Sequence, residues 1–144
     1  MLVSEIMRIK GSTLFTITPD GAVMDAVKVM AENDIGSLVV MDGGKLAGIL
    51  TFREVLAAMA QRNGVLAGVR IADIYEHEPL TAAPQLDVME LRRTMLERHA
   101  RYVPVMDGMT LQGVVSFHDV AKAVYDEEHF ENRMLKSYIN EASP

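Results

Sequence analysis

Two short runs in this chain combine residue types suited to holding a polar ligand. They are Gly48-Ile49-Leu50-Thr51-Phe52-Arg53-Glu54 and Gly113-Val114-Val115-Ser116-Phe117-His118-Asp119. In each, a hydroxyl is followed three positions later by a carboxylate and preceded three positions earlier by glycine. Thr51-x-x-Glu54 has the form of a capping box, in which side chains satisfy the free N–H groups of a helix start. The same arrangement suits a nucleotide. A helix N-terminus offers N–H groups and partial positive charge to phosphate. A carboxylate beside it can accept both hydroxyls of a ribose, and the Ser or Thr hydroxyl adds a further bond. The glycine lets another group approach the strand end closely. Arg53 and His118, inside the two runs, are placed to reach phosphate, or stand exposed in the first helical turn.

The two runs are copies. An offset of 65 holds without a gap from Pro19/Pro84 to Val55/Val120, and thirteen of those thirty-seven pairs are identical. A period this long, met twice, points to two copies of a small lobe packed as a pair, with clefts at the seam as the natural ligand sites. Val23, Ala26, Val27, Met30 and Ala31 fall on one helical face. The copy reads Val88, Leu91, Arg92, Met95 and Leu96, broken only by Arg92. Ser37–Met41 and Leu46–Leu50 read as strands joined at Asp42-Gly43, and the copy turns at Asp107-Gly108 before Leu111–Val115. A helix follows each return strand. Each repeat therefore reads strand–helix–strand–strand–helix, with short leading segments at Val3–Met7 and Ile71–Tyr75. The expected division is repeat 1 over 1–60, a linker over 61–70 broken by Asn63-Gly64, repeat 2 over 71–125, and a C-terminal amphipathic helix and tail over 126–144. Phe130, Met134, Leu135, Tyr138 and Ile139 recur there at helical spacing and require a docking surface on this chain or on a second one.

Composition narrows the function classes. The chain has 144 residues, 49% of them hydrophobic and 24% charged, as expected of an ordinary globular protein, and the element order of the repeats makes α+β the expected fold class. A lone lobe of about 60 residues would be marginal, so the two copies are expected to stabilise each other. A net charge of −6 without a basic run argues against general nucleic-acid binding. The absence of cysteine removes disulfides, thiolate nucleophiles and Cys-based metal sites. His77, His99, His118 and His129 lack metal-ligand spacing, so no metal is expected. No apolar run reaches membrane-span length, and residues 1–11 lack the apolar core of a signal peptide, so a cytoplasmic location is expected. Ser116 has no base positioned by the pattern to activate it, and no paired-acid arrangement is apparent. The expectation is a protein that is not an enzyme.

The doubling, the element order and the Gly-h-x-Thr/Ser-x-x-Asp motif (h apolar) together resemble the CBS domain family, the paired modules first named from cystathionine β-synthase. The resemblance spans Val3 to about Tyr125. It implies two tandem CBS repeats with pseudo-two-fold symmetry, a Bateman module that binds adenosine compounds between the repeats. Ser116 and Asp119 match the ribose-binding positions in the second copy, and Thr51 and Glu54 in the first. In the family such sites are crossed. The resemblance thus pairs Ser116 and Asp119 with Ser12, Thr13 and Leu14, and Thr51 and Glu54 with His77, Pro79 and Leu80. Arg101-Tyr102-Val103-Pro104 resembles the family's cleft-lining strand, with Arg101 for phosphate and Tyr102 for base or ribose. The first copy carries Gly36-Ser37-Leu38-Val39 there, without arginine or proline. Glu54 is longer by one methylene and can fold back to its own cap, whereas Asp119 is expected to be freer to face a ligand. The second-copy site therefore ranks above the first.

The function implied is a stand-alone regulatory module for AMP or a related adenine nucleotide, with NAD, ATP and S-adenosylmethionine as further candidates. It would signal ligand state to a regulated protein that the sequence does not name. The family also implies a homodimer formed through the CBS helices. A competing reading from a different class is a structural dimerisation module without ligand, in which both motifs serve only as caps.

Overall fold

The computed structural model describes residues 1–11 and 13–142, with side chains as far as Ile139. The order is α1 (Val3–Lys10), β1 (Thr16–Ile17), α2 (Val23–Asn33), β2 (Ser37–Asp42), β3 (Lys45–Thr51), α3 (Phe52–Gln61), a 3-10 turn (Ile71–Asp73), α4 (Val88–Arg98), β4 (Tyr102–Asp107), β5 (Thr110–Ser116) and α5 (Phe117–Ala142). Apolar period explains the paired helices. Val23, Ala26 and Met30 bury one face of α2, and Val88, Leu91 and Met95 the matching face of α4. Both helices end on a residue in the left-handed region, Asp34 and its copy His99.

β2 and β3 form an antiparallel hairpin, and β1 joins β2 in parallel. β4 and β5 repeat the hairpin, but the leading strand of the second repeat shrinks to one parallel bridge, Ala82 to Val105. Both hairpins shift register at the same place, between Val40 and Met41 and between Val105 and Met106. Ala47 and Gln112 are the extra residues that bend the two return strands there. Gly43 and Gly108 supply the positive φ that the two turns require.

The leading segments are exchanged between the repeats. Val3 and Ile6 of α1 belong to the core of the second repeat, with Leu91, Met95, Val103, Val105 and Val115. Ile71, with Leu66 and Val69 from the linker, belongs to the core of the first repeat, with Leu38, Val40 and Leu50. The same three backbone bonds hold each exchange. Val88 N–H donates to Met1 C=O, Val3 N–H to Leu86 C=O and Ser4 N–H to Pro84 C=O, each at 2.9 Å. Their counterparts run from Val23 to Val69 at 3.0 Å, from Ile71 to Gly21 at 2.9 Å and from Ala72 to Pro19 at 2.8 Å.

The chain departs from the sequence expectation at its end. The final helix is not a separate element beyond 126, because α5 runs unbroken from the second motif. No glycine or proline interrupts Phe117–Ala142, so nothing in the chain ends the helix at the edge of the lobe. Residues 143 and 144 of the expected tail lie outside the described residues.

Gly48 marks a tight backbone crossing of the two halves. Ile49 and Glu76 exchange backbone bonds at 3.0 and 2.9 Å, which brings the Glu76 carbonyl against Gly48. A Cβ at Gly48 would overlap that carbonyl, and backbone cannot yield as a side chain can. Gly48→Ala should cost about 1–3 kcal/mol of stability. Urea unfolding of both proteins measures this, and equal midpoints would refute the crossing as a packing constraint.

Candidate functional site

A cavity of about 1110 Å³ opens between the repeats. This exceeds the size of an ordinary small-ligand site, about 300–1,000 Å³. The seam arises because each motif begins a helix, α3 or α5, at the edge of a hairpin whose neighbour belongs to the other repeat. From the first half come Lys10, Thr13, Leu14, the end of α2 through Ser37, and Arg53. From the second come Met95, Leu96, His99–Tyr102, Val114, Ser116–His118 and Ala121.

Of the residues expected at the stronger site, Thr13, Leu14, Arg101, Tyr102, Ser116 and His118 line this one cavity. Val103 and Pro104 are buried in β4 and do not line it, and Asp119 stands behind Lys10 without lining it. Ser12 lies outside the described residues. Ser37 and Arg53, expected at the weaker site, also face the large cavity. Thr51, Arg53, Glu54 and Leu80 border a second hollow of only about 50 Å³. His77 and Pro79 line neither cavity, and His77 packs instead on the Tyr75 ring, 4.1 Å between centroids.

The two motifs close differently. Glu54 Oε1 accepts from Thr51 N–H at 2.8 Å and from the Thr51 hydroxyl at 3.0 Å. That box uses the hydroxyl proton internally. In the second copy Ser116 N–H donates to Asp119 Oδ2 at 2.9 Å, and Asp119 N–H donates to Ser116 Oγ at 3.0 Å. Here the hydroxyl accepts, so its proton remains available. The expectation that Asp119 is freer than Glu54 is corrected by a group the motif does not contain. Lys10 Nζ lies 2.7 Å from Asp119 Oδ2 and 2.7 Å from the Val114 carbonyl oxygen. The shorter acid still completes its box, and it carries an ion pair as well. The Ser116 hydroxyl also helps to hold the Asp119 carboxylate, and Asp119 Oδ1 and that hydroxyl are the groups of the second motif that a ligand could recruit.

Electrostatics follow from these contacts. Burial on its own would raise the Asp119 carboxyl, but the Lys10 bond, the Ser116 N–H, the Lys10 charge and the Ser116 hydroxyl outweigh it and hold it below the ordinary range. Near the small hollow, burial and then the Glu54 charge push the Glu76 carboxyl up. Burial also raises the Tyr102 phenol. Among the described residues, the large cavity is bordered by three permanent cations, Lys10, Arg53 and Arg101, and one acid, Asp34. Arg53 donates to the His99 carbonyl at 2.7 Å, and Arg101 sits 5.5 Å from the Phe52 ring centre, so both reach across the seam. Phe52 meets Tyr102 edge to face at 6.1 Å. Gly36 leaves room for Tyr102, since a Cβ there would overlap its hydroxyl.

With this geometry, the comparisons with known proteins are specific. The CBS domain family model matches residues 3–61 and again 71–126. The chain belongs to the CBS domain family. It holds two tandem CBS repeats in an α+β fold, as the resemblance in its motifs implied. It is 32% identical over 146 residues to the mitochondrial CBS domain-containing protein CBSX3 of Arabidopsis thaliana, covering 95% of this chain and 71% of that one. A solved protein with CBS domains from Burkholderia ambifaria superposes with a TM-score of 0.80 at 32% identity, over 86% of this chain and 93% of that one. The CBS domain pair of protein MJ0100, solved with 5′-methylthioadenosine and S-adenosyl-L-methionine, superposes with a TM-score of 0.77 at 25% identity, over 88% of this chain and 98% of that one. No described helix is long and apolar enough to cross a membrane, and no described cluster of His, Asp and Glu could hold a metal ion.

The motif reading missed Lys10, Phe15, Asn33, Asp34, Met95, Leu96, His99 and Phe117 as lining residues. Asp34 and His99 stand 65 positions apart at equivalent helix ends, so the repeat itself carried a signal for that pair. Lys10 carried none, being 109 positions from Asp119.

The lowered Asp119 carboxyl has a defined pH consequence. Its ionised form is held more firmly in the folded chain, so its contribution is complete above the unfolded value of about 4 and is lost as pH falls through the lower folded value. Asp119→Asn should reduce stability by roughly 1–2 kcal/mol at pH 7. That difference should shrink as pH falls below about 4. Melting of both proteins across pH 2.5–7 checks the sign, and a difference that grows on acidification would refute it.

Proposed function

We propose that this protein is a regulatory module that binds an adenine nucleotide, AMP or a close relative, in the large cavity between its CBS repeats. The observation that carries the reading is the second motif. Ser116 lines the cavity with a hydroxyl that can turn its proton to a ligand, and Asp119 holds Oδ1 behind Lys10, beside a wall that also presents Tyr102 and Arg101. Oδ1 and the Ser116 hydroxyl suit a ribose diol, Tyr102 offers a face for ribose or base, and Arg101 offers a planar fork to phosphate. The 5′-methylthioadenosine and S-adenosyl-L-methionine in the MJ0100 pair support an adenosyl group as the common element. The excess of cations around this cavity favours a phosphate-bearing member of that class.

The small hollow, about 50 Å³ and bordered by Glu54 and Glu76, supports the lower rank given to the first motif. Glu54 is committed to Thr51 through both available donors. The role is regulatory rather than catalytic. A ligand wedged across the seam contacts both repeats, so it favours one lobe arrangement by its differential affinity for the two states. A partner protein reads that arrangement.

The assembly is a homodimer with α5 at its seam. Phe130, Met134, Leu135 and Tyr138 are all more than half exposed on the part of α5 that extends past the second lobe. That much apolar surface on a projecting helix favours burial against a second copy.

Titration calorimetry tests the site. Asp119→Ala should weaken AMP binding roughly 10–150-fold, as expected for charge-assisted bonds of about 1.5–3 kcal/mol. Glu54→Ala should change it far less while lowering helix stability. Equal losses would remove the ranking of the two sites. A melting temperature unmoved by millimolar AMP, ATP, NAD and S-adenosylmethionine would instead favour a ligand-free dimerisation module. For the assembly, light scattering of the native chain should give the dimer mass and the Phe130→Glu, Met134→Glu double variant the monomer mass. A native monomer would overturn the seam.

A further inference from the structure

We propose that Lys10 is a displaceable plug over the Asp119 carboxylate, and that its displacement makes the cavity select phosphate-bearing adenosyl ligands over uncharged or cationic ones. This rests on the adenosyl reading above and adds a gate to it.

The argument begins with position. Lys10 borders the large cavity and Asp119 does not. The ammonium therefore stands between the carboxylate and the space a ligand would enter. It lies 2.7 Å from Asp119 Oδ2, an oxygen that already accepts from Ser116 N–H at 2.9 Å. Its second bond, to the Val114 carbonyl, fixes it across the end of β5. A ribose approaching the second motif from the cavity meets an ammonium before it meets the acid.

The plug moves only when the ligand compensates for it. The Lys10 side chain is 36% exposed and that of Asp119 20%, so solvent screens the pair in part and an entering anion must replace the rest. Four flexible carbons carry the charge, and α1 ends immediately after it at Gly11, whose φ of 91° few side chains tolerate. The ammonium does not leave the cavity when it swings; it needs a new anion inside it. Arg53 is anchored by one N–H on the His99 carbonyl and adds its charge to the wall, so Lys10 and Arg101 are the cations with side chains not held by a backbone carbonyl of the other repeat's helix end. AMP brings that anion. Adenosine brings none, so its entry breaks an ion pair without replacing it. S-adenosylmethionine brings a carboxylate but also an ammonium and a sulfonium, so its net positive charge compensates the freed ammonium less than a phosphate does.

The first motif has no such device. Counted from the exchanged segments, the repeats are offset by 68 (Val3 to Ile71), but from Pro19 to Pro84 by 65. The first repeat is thus three residues longer in this stretch, where α1 continues to Lys10 and the second repeat has only a short 3-10 turn. Lys10 belongs to one site alone.

Calorimetric titration of AMP and of adenosine into the native chain, Lys10→Met and Lys10→Arg tests the plug. Lys10→Met keeps an apolar stem and removes the charge. Adenosine should then bind about 3–10-fold more tightly and AMP about 10-fold more weakly, so the AMP preference falls by roughly 30-fold or more. Lys10→Arg should keep the native preference to within about 3-fold. A strut that merely ties α1 to α5 would weaken both ligands in parallel, and that result overturns the plug while leaving the adenosyl site standing. Failure of the native chain and Lys10→Met to bind either ligand overturns the adenosyl reading and the plug with it.

Discussion

The exchange of leading segments is the constraint on which the rest of the structure depends. Neither repeat closes its own core: Val3 and Ile6 fill the second, and Leu66, Val69 and Ile71 fill the first. A lobe of about 60 residues buries too little surface to stand alone. Here each lobe borrows apolar side chains and three backbone bonds from the other. The two lobes are therefore stable only as a pair, and the seam between them is fixed by the same contacts that fix the cores. The cavity inherits its position from that seam.

This coupling has a mechanical side. α1 packs into the second core through Val3 and Ile6 and ends at Lys10 on the cavity wall. The Arg53 bond to the His99 carbonyl and the Arg101 contact with Phe52 both tie the first motif to the second repeat. A molecule lodged in the cavity touches groups from both halves at once. Packed cores do not deform continuously, so any change it imposes must appear as a shift of one lobe against the other.

Much of the fold was legible because its signals are local. Asp-Gly between apolar runs announces a hairpin, three-and-four spacing announces a helix, and a 65-residue echo announces two lobes. What the sequence did not show is partner choice over long separations. Nothing in Val3–Lys10 says that its apolar face belongs to residues beyond 80, because either lobe offers a similar surface. For the same reason the motif reading found Ser116 and His118 but not Lys10, whose role comes from a contact 109 positions away. The continuity of α5 was legible in hindsight from the lack of glycine or proline after Phe117, but the repeat boundary near 125 concealed it.

The contrast between the motifs shows how little separates a cap from a binding group. Glutamate at 54 reaches both the amide and the hydroxyl of Thr51, and the motif closes on itself. Aspartate at 119, one methylene shorter, takes only the amide of Ser116 and returns its own N–H to the hydroxyl. The first motif makes three internal bonds, since Arg53 N–H also donates to Thr51 Oγ1, and the second makes two. The second motif therefore keeps Asp119 Oδ1 outside its internal bonds, behind Lys10, and puts the Ser116 hydroxyl on the cavity wall. A lone anionic carboxylate there would repel phosphate, and Lys10 neutralises it in place. The first repeat spends its motif on helix stability, while the second keeps part of it open under a movable counter-ion. Once two copies are locked together by exchanged segments, the need to hold the fold falls on the shared cores, and one motif is free to diverge from capping toward recognition.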